Sequence, residues 1–391
     1  MIRQEYSQKL QTSVSLQTLT RTGRGELLDR TGQNVDQSSS DSHSGMQRTA
    51  SPEVLLQVAS FVHHEMPIRL ARRIKDLDNV PYLSNMSSVQ AVKDIYISSF
   101  LSLIKEPTID NHVREALFAR KLELLYERHS SVLVQMAKGA YELREQIRTN
   151  QIEGLYPETF EHMNECHAFL DRFYMSRIGI RVLAGQYLSL RNPTIDGFIG
   201  MIYQHTSPCE VMKLAVTDAS YMCEKKYGTF PEVIITGRLD QRFPYVPTQL
   251  HYMFLELLKN AMRAVVEHHG SDPRKWPPIE VVIADGDLNE DVVIKISDEG
   301  GGIRRSHRKK IWSYLFTTAD PSIQDGLMGL NNNVDHSVDA PLAGLGYGLP
   351  ISKSYARYFG GDVSIESMEG YGSDAYVHLR RLGDSREPLP V

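Results

Sequence analysis

The sequence predicts two folded parts, an N-terminal all-α helical bundle and a C-terminal α+β sandwich. Glycine is scarce between Pro52 and Arg191, and apolar residues recur there at steps of three and four, which is typical of packed helices. Beyond residue 194, β-branched strands occur in pairs with helices between them. The 391 residues, 41% of them hydrophobic, suffice for two domains. We therefore expect a bundle over residues 51–193 and a sandwich over residues 194–391.

Residues 1–50 are predicted to form a flexible or targeting tail. Residues 1–25 carry a single acid, Glu5, with four basic residues and many Ser and Thr. This composition fits a mitochondrial transit peptide, and it fits a polar disordered tail equally well. Residues 33–50 have little apolar content and are expected to be flexible.

Within the bundle, the two longest helical stretches are residues 111–148 and 160–190, both dense in apolar residues and in helix formers. Four prolines are expected to mark the ends of helices, namely Pro67, Pro81, Pro107 and Pro157. The domain boundary is expected at Asn192-Pro193. In the sandwich, strands and helices are read from their periodicity. The predicted strands are Ile279–Asp285, Asp291–Ser297, Asp362–Ser367 and Asp374–Arg380, and the predicted helices are Pro247–His268 and Leu349–Phe359.

The composition of the chain indicates which classes of binding partner to exclude. The formal net charge is −5 and the pI is about 6.3, which argues against a dedicated nucleic-acid binder. No apolar run is long enough to span a bilayer, so no membrane partner is expected. The three cysteines match neither a zinc site nor a disulfide framework, which indicates a reducing compartment.

The helix over residues 250–268 predicts the first element of a site. At 100° per residue, Asn260 and Arg263 lie within about 40° of Glu256, and Tyr252 lies on that face one turn earlier. The opposite face is apolar and suited to packing on a sheet. An Asn in mid-helix is a poor helix former and needs a reason, but this helix alone supports a ligand-binding row and a solvated helix face equally.

Two glycine-rich segments extend this site. Asp298 follows an apolar strand and precedes three glycines, so its carboxylate could accept a hydrogen bond from an exocyclic amine such as that of adenine. Gly344–Leu349 opens a helix, where free backbone N–H groups and the helix dipole suit a phosphate. Each alone could be an ordinary glycine turn, and the second fits neither a Rossmann nor a Walker A pattern. The segment 319–343 between them is long and polar, as functional or disordered loops are, and over a nucleotide site it would act as a lid.

In order along the chain, Glu256–Asn260, Asp298–Gly302, Gly344–Gly348 and Gly370–Ser373 resemble the N, G1, G2 and G3 boxes of the GHKL ATPase superfamily, whose ATP-binding sandwich is the Bergerat fold. A closer resemblance is to the mitochondrial 2-oxoacid dehydrogenase kinases, over roughly residues 52–385. The segments that carry it are Glu65–Ala71, Asp171–Arg181, Arg242–Pro247, Leu258–Ala264, Leu315–Ala319, Tyr347–Ser352 and Ser367–Gly372. The Asp-Glu-Gly-Gly-Gly box and the ending 381–390 look like plant-type pyruvate dehydrogenase kinases, whereas Tyr252 looks like the branched-chain branch.

The resemblance implies a protein serine kinase that uses ATP and Mg²⁺. By similarity, Glu256 is the catalytic base with Tyr252 beside it, Asn260 is the protein ligand of Mg²⁺, and Asp298 recognises adenine. The remaining nucleotide-binding residues that it implies are Lys259, Arg263, Gly300, Gly302, Thr317, Thr318, Gly344, Leu345, Gly346, Tyr347, Gly348, Leu349 and Ser373. In the bundle, it implies a regulatory pocket for a small oxoacid, although these charges could equally be satisfied within the bundle; the residues are His129, Ser176, Arg177 and Arg181.

The resemblance also implies the partners. The substrate would be the E1 component of the pyruvate dehydrogenase complex, inactivated by phosphorylation, with the branched-chain 2-oxoacid dehydrogenase as the alternative. We expect the lipoyl-bearing E2 component as a further partner. We also expect a homodimer, located in the mitochondrial matrix. Other classes are a two-component histidine kinase, for which His64–Pro67 is a faint phosphoacceptor match far from Glu256, and a nucleotide-binding scaffold.

Overall fold

The computed structural model describes residues 2–28, 34–35, 50–152, 160–192, 195–285, 291–318 and 345–389. Five long helices form the bundle: α3 Pro52–Asn79, α4 Ser87–Ile104, α5 His112–Arg128, α6 Val132–Arg148 and α7 Asn164–Arg191. They follow the two short helices α1 Ile2–Gln8 and α2 Leu16–Gly23 and the two-residue strands β1 Leu27–Leu28 and β2 Asn34–Val35. The all-α prediction for the first part is confirmed.

Local sequence explains where these helices begin. Ser51 caps α3 by accepting a hydrogen bond from the backbone N–H of Val54, and Pro52 occupies the first helical turn. Pro67 lies inside α3, so the expectation that it ends a helix is wrong: its neighbours in the bundle core hold the helix through it. The stretch 111–148 is two helices, α5 and α6, separated at His129–Ser131.

The second part is built on a five-stranded sheet in the order β5-β7-β8-β10-β9. Its strands are β5 Val233–Gly237, β7 Ile279–Asp285, β8 Asp291–Asp298, β9 Asp362–Met368 and β10 Gly372–Arg380. Strands β7 to β10 pair antiparallel as their hairpin patterns predict, and β5, which the sequence did not reveal, pairs parallel with β7. A smaller sheet contains β3 Phe198–Ile199, β4 Ile202–Thr206 and β6 Phe243–Tyr245.

Three helices accompany the sheet: α8 Pro208–Tyr227, α9 Pro247–His269 and α10 Gly348–Tyr358. Alternate β-branched residues of the central strands, such as Val281, Ile294 and Val377, are fully buried with the apolar face of α9. This α+β sandwich confirms the predicted fold class. Residues 193 and 194 lie outside the described residues, so the boundary near 193 stays a prediction.

Residues 12–23 pack on the bundle and on the sandwich, and the assignment of residues 1–50 to a flexible or targeting tail stays a prediction. Val14 and Leu16 are buried, and the backbone N–H of Thr12 donates to the Glu65 carboxylate at 2.9 Å. Glu387, near the other end of the chain, donates its backbone N–H to the carbonyl of Val14 at 2.8 Å. Within the described ranges, none of the helices combines the length and apolar character that crossing a bilayer requires.

Candidate nucleotide-binding and catalytic site

A cavity of about 740 Å³ opens between helix α9, the end of strand β8, the segment 303–318 and the start of helix α10. Most of the residues predicted for nucleotide binding line it, although they come from five separate parts of the chain. These are Glu256, Asn260, Arg263, Asp298, Gly300, Gly302, Thr317, Thr318, Gly346, Gly348, Leu349 and Ser373. A volume of this size accommodates a nucleotide.

Helix α9 presents the predicted polar row to the cavity because its opposite face is packed in the core. Glu256 is buried, with only 4% of its surface exposed, and one of its carboxylate oxygens accepts a hydrogen bond from Lys259 Nζ at 2.5 Å. Two turns after Glu256, Arg263 donates to the hydroxyl of Thr318 at 3.2 Å, and both residues line the cavity. Lys259 does not line the cavity, and its Nζ contacts the Glu256 carboxylate instead, so its predicted part in nucleotide binding stays a prediction.

Tyr252 lies one turn before Glu256 but faces away from the cavity. Its ring packs against Tyr355, with 5.2 Å between the ring centroids. Burial raises the pKa of the Tyr252 phenol well above its ordinary value, and the negative charge of Glu256 adds to this effect. The Tyr252 phenol is therefore neutral throughout the physiological pH range, and its predicted place beside a catalytic base stays a prediction.

Asp298 ends strand β8 at the inner wall of the cavity. Its carboxylate accepts a hydrogen bond from the backbone N–H of Gly300 at 2.9 Å, while burial raises its pKa to about 6. Gly300 is pressed against helix α9, since a Cβ there would lie 2.4 Å from the Cβ of Ala264. The glycine at this position thus lets the loop sit close enough to the helix to leave the carboxylate facing the cavity.

The second glycine segment forms the outer wall. Gly346 has φ +81°, and the backbone carbonyl of Gly346 accepts a hydrogen bond from the N–H of Leu315 at 3.1 Å. Gly348, the first residue of α10, faces Glu256: a Cβ there would lie 2.2 Å from the Glu256 carboxylate. The side chains of Leu345 and Tyr347, which were predicted to contact the nucleotide, are buried. Gly344 and the predicted lid over residues 319–343 lie outside the described residues.

Sequence patterns missed the apolar wall of the cavity. Its members are Leu257, Ala261, Ala264, Ile296, Ile303, Ile311, Phe316, Pro350, Ile365 and Ala375, with the polar residues Glu267, His268, Arg304 and His307 at the rim. Ile296 could have been found from the two-residue period of β8, which also places Asp298 on the same face. The others depend on how the elements pack.

In the bundle, the predicted regulatory residues occupy one region. His129 is buried and its Nε2 lies 2.9 Å from the hydroxyl of Ser99, while Arg177 donates to the backbone carbonyl of His129 at 3.4 Å. Burial, and then the positive charge of Arg177, lower the His129 pKa to about 3, so the imidazole is neutral. The guanidinium of Arg181 stacks over the Tyr126 ring at 4.0 Å, and Ser176 is buried on the same helix. That this region is a regulatory pocket stays a prediction.

Comparison with known proteins addresses both halves of the chain. The family model described as mitochondrial branched-chain alpha-ketoacid dehydrogenase kinase matches residues 41–203, and that of the histidine kinase-, DNA gyrase B-, and HSP90-like ATPase matches residues 245–382. The mitochondrial pyruvate dehydrogenase (acetyl-transferring) kinase of Arabidopsis thaliana is 46% identical over 339 residues, covering 86% of this chain and 88% of the relative. The corresponding kinase of Schizosaccharomyces pombe is 36% identical over 409 residues (88% and 92%), and the human isozyme 4 is 37% identical over 346 residues (85% and 79%).

A bundle followed by an ATP-binding sandwich of this type, with a carboxylate and an amide side by side on the cavity wall, defines a protein kinase of the GHKL superfamily. The curated relatives match nearly the whole chain, so the family within this superfamily can be assigned. The chain belongs to the mitochondrial pyruvate dehydrogenase kinase family.

Proposed function

We propose that the chain is an ATP-dependent protein serine kinase that phosphorylates, and thereby inactivates, the E1 component of the mitochondrial pyruvate dehydrogenase complex. The observation that carries this proposal is Glu256 beside Asn260 on the wall of the nucleotide cavity, in a chain 46% identical to a pyruvate dehydrogenase kinase. Phosphoryl transfer requires positioning and charge neutralisation more than covalent help from the protein.

In this proposal Glu256 accepts the proton of the serine hydroxyl as the hydroxyl oxygen attacks the γ-phosphorus, and the bond from that phosphorus to the β,γ-bridging oxygen breaks, with ADP leaving. Lys259 holds one oxygen of the carboxylate and leaves the other, Oε2, facing Gly348 at the start of helix α10. The helix start offers backbone N–H groups to the phosphates, and Asp298 accepts a hydrogen bond from the adenine amine at the inner wall. A general base in this position contributes roughly 10²–10⁴ in rate.

The residues present fit a magnesium ion. Asn260 lines the cavity one turn from Glu256 and makes no side-chain hydrogen bond to any of the described residues, so its carbonyl oxygen is available to a hard cation. Asn260 would be the protein ligand, with phosphate oxygens and water completing the coordination. When bound, Mg²⁺ neutralises charge that develops on the transferred phosphoryl group.

The test is transfer of labelled phosphate from ATP to purified pyruvate dehydrogenase E1, with the branched-chain E1 assayed beside it. We expect acid-stable phosphoserine on the pyruvate enzyme, and Glu256→Gln should lose at least about 100-fold in turnover while keeping ATP affinity within a few-fold. Glu224→Gln, an exposed change on helix α8, is the control for loss of one carboxylate. Preferential labelling of the branched-chain E1 would transfer the proposal to that substrate.

If the protein were a histidine kinase, the phosphorylated product would differ. A histidine kinase would form an acid-labile phosphoenzyme that disappears in His64→Ala, a change that should leave a serine kinase active. Such a result, with E1 unlabelled, would overturn the proposal.

The proposal also covers the location, the assembly and the docking partner of the protein. We propose that the protein works in the mitochondrial matrix, as a homodimer, docked on the lipoyl-bearing E2 component, which brings it near E1. The proposal draws support from the names of the relatives, each of which is a mitochondrial kinase. Sedimentation of the purified chain with and without the isolated lipoyl domain tests both the assembly and the docking.

A further inference from the structure

A cluster of buried aromatic residues connects bundle helix α7 to both sides of the nucleotide cavity. Tyr174 of α7 lies 5.3 Å from Tyr314 and 6.1 Å from Tyr347, and the last two rings are 5.4 Å apart. All three side chains are essentially inaccessible to solvent. His167, one helical turn before Asp171, stacks on Tyr314 with an angle of 11° between the ring planes.

A hydrogen bond between the sandwich and the bundle anchors this cluster. The hydroxyl of Tyr314 donates a hydrogen bond to Oδ1 of Asp171 at 2.8 Å, although the two residues are 143 positions apart. The tyrosine is fully buried, whereas the aspartate stands at the surface of α7. The Asp171 carboxylate thus binds the Tyr314 phenol of the sandwich to helix α7 of the bundle.

What Tyr314 positions is the outer wall of the cavity. The next residue, Leu315, has φ +64°, a left-handed conformation that is costly for a leucine and persists only where the surroundings enforce it. In this conformation the Leu315 N–H reaches the carbonyl of Gly346 at 3.1 Å, joining two segments 31 positions apart. Two positions beyond these residues come Thr317 and Gly348, which line the cavity.

Tyr347 completes the connection on the other segment. It is held between Tyr174 and Tyr314 and directly precedes Gly348, which abuts the carboxylate of Glu256. A displacement of the cluster would therefore move the threonine wall and the phosphate-binding helix start together.

We infer that Asp171 is a positioning residue for nucleotide binding: through Tyr314 it holds the Leu315–Gly346 pair closed and so keeps both sides of the ATP cavity in register. This inference rests on the proposed function and adds to it a residue of the bundle that touches neither nucleotide nor substrate. Without the anchor, only part of the population has the paired arrangement, and the apparent nucleotide affinity falls by that fraction.

The environment of the two partners predicts an unequal response to mutation. Asp171→Ala leaves a buried tyrosine hydroxyl without its acceptor, which is the more costly loss, whereas Tyr314→Phe leaves an aspartate that water can solvate. We expect ADP or ATP affinity, measured by calorimetry, to fall about tenfold in Asp171→Ala and about threefold in Tyr314→Phe. Asp171→Asn keeps a hydrogen-bond acceptor and should restore affinity to within about twofold of the wild type.

The matched control lies at the other end of helix α10. Tyr358 is also a fully buried phenol that donates to a carboxylate, Glu387 Oε2, at 2.7 Å. Tyr358→Phe should lower the melting temperature but leave nucleotide affinity unchanged. Affinity changes of equal size in Tyr358→Phe and Tyr314→Phe, or none in Asp171→Ala, would overturn the inference and leave Asp171 a structural residue.

Hydrogen exchange provides a second measurement on any variant that folds. The Leu315 amide, whose acceptor is Gly346, should exchange faster in Asp171→Ala, and added nucleotide should restore its protection. Unchanged exchange at Leu315 would contradict the inference even if affinity fell. Failure of the wild-type chain to bind any nucleotide would instead contradict the proposed function, so the two failures are distinguishable.

Discussion

Replacing Gly348 with alanine tests the catalytic geometry more directly than removing a catalytic side chain. Gly348 begins helix α10 with a backbone conformation open to alanine, so the change introduces no backbone strain. The new Cβ would lie 2.2 Å from Glu256 Oε2 and 3.1 Å from its Cδ. Because nonbonded atoms keep a separation of about 3.4 Å or more, the carboxylate must move by about 1 Å.

That displacement sets the expected magnitude. Misplacing a reacting group by about 1 Å costs on the order of 100-fold in rate, so turnover in Gly348→Ala should fall by about that factor. The methyl group points at Glu256 and leaves the backbone N–H groups of the helix start in place. ATP affinity, measured by calorimetry, should therefore stay within a few-fold of the wild type, and the melting temperature should change little.

The assay is the initial rate of phosphate transfer to E1 at saturating ATP. Gly185→Ala in helix α7 is the control, because a Cβ there meets its nearest neighbour, the Tyr126 hydroxyl, at an ordinary 3.5 Å. Alanine is the better helix former by roughly 1 kcal/mol, so this control should be slightly more stable and fully active. A folded Gly348→Ala enzyme with turnover within threefold of the wild type would refute the placement of Glu256 as the base.

Features with a local sequence signal were predictable. The two-residue period of β8 fixed both the strand and the position of Asp298 at its end, and the helical period of α9 placed Glu256, Asn260 and Arg263 on one face. The structure brings these residues together on one cavity because the strand and the helix pack through the apolar faces that the same periods define.

Features that depend on distant contacts were not predictable. Leu345 and Tyr347 belong to a glycine-rich motif that suggests ligand contact, yet their side chains turn inward because Tyr347 packs against Tyr174, 173 positions earlier. Strand β5 has no hairpin partner, since it pairs parallel with a strand more than 40 positions later.

The N-terminal segment shows the same limit. Its polar composition is typical of a tail, but the backbone of Thr12 is hydrogen-bonded to Glu65 and Arg69. The composition of residues 1–25 gives no sign of these distant partners. Composition predicts disorder only when nothing elsewhere in the chain supplies partners for the segment.

Three further variants test other parts of the structure. Asn260→Ala should abolish the Mg²⁺-dependent part of ATP binding without unfolding the protein, and calorimetry showing unchanged Mg-ATP affinity would exclude Asn260 as the metal ligand. Because burial raises the Asp298 pKa to about 6, the acceptor carboxylate forms only as pH rises through that value. ATP affinity should therefore increase from pH 5 to 7 and be nearly independent of pH in Asp298→Asn; a step that persists in the variant would assign the titration elsewhere. The last variant, Glu387→Ala, removes a buried carboxylate that accepts hydrogen bonds from the guanidinium of Arg69, which is itself only 2% exposed. Breaking a buried ion pair costs about 3–5 kcal/mol, since the remaining charge loses its compensation. Urea unfolding should show that loss with an unchanged m-value, while the exposed Glu366→Ala should cost less than about 0.5 kcal/mol. Equal stability of the two variants would mean that Glu65 alone compensates Arg69, and that the C-terminal segment does not fasten the sandwich to the bundle.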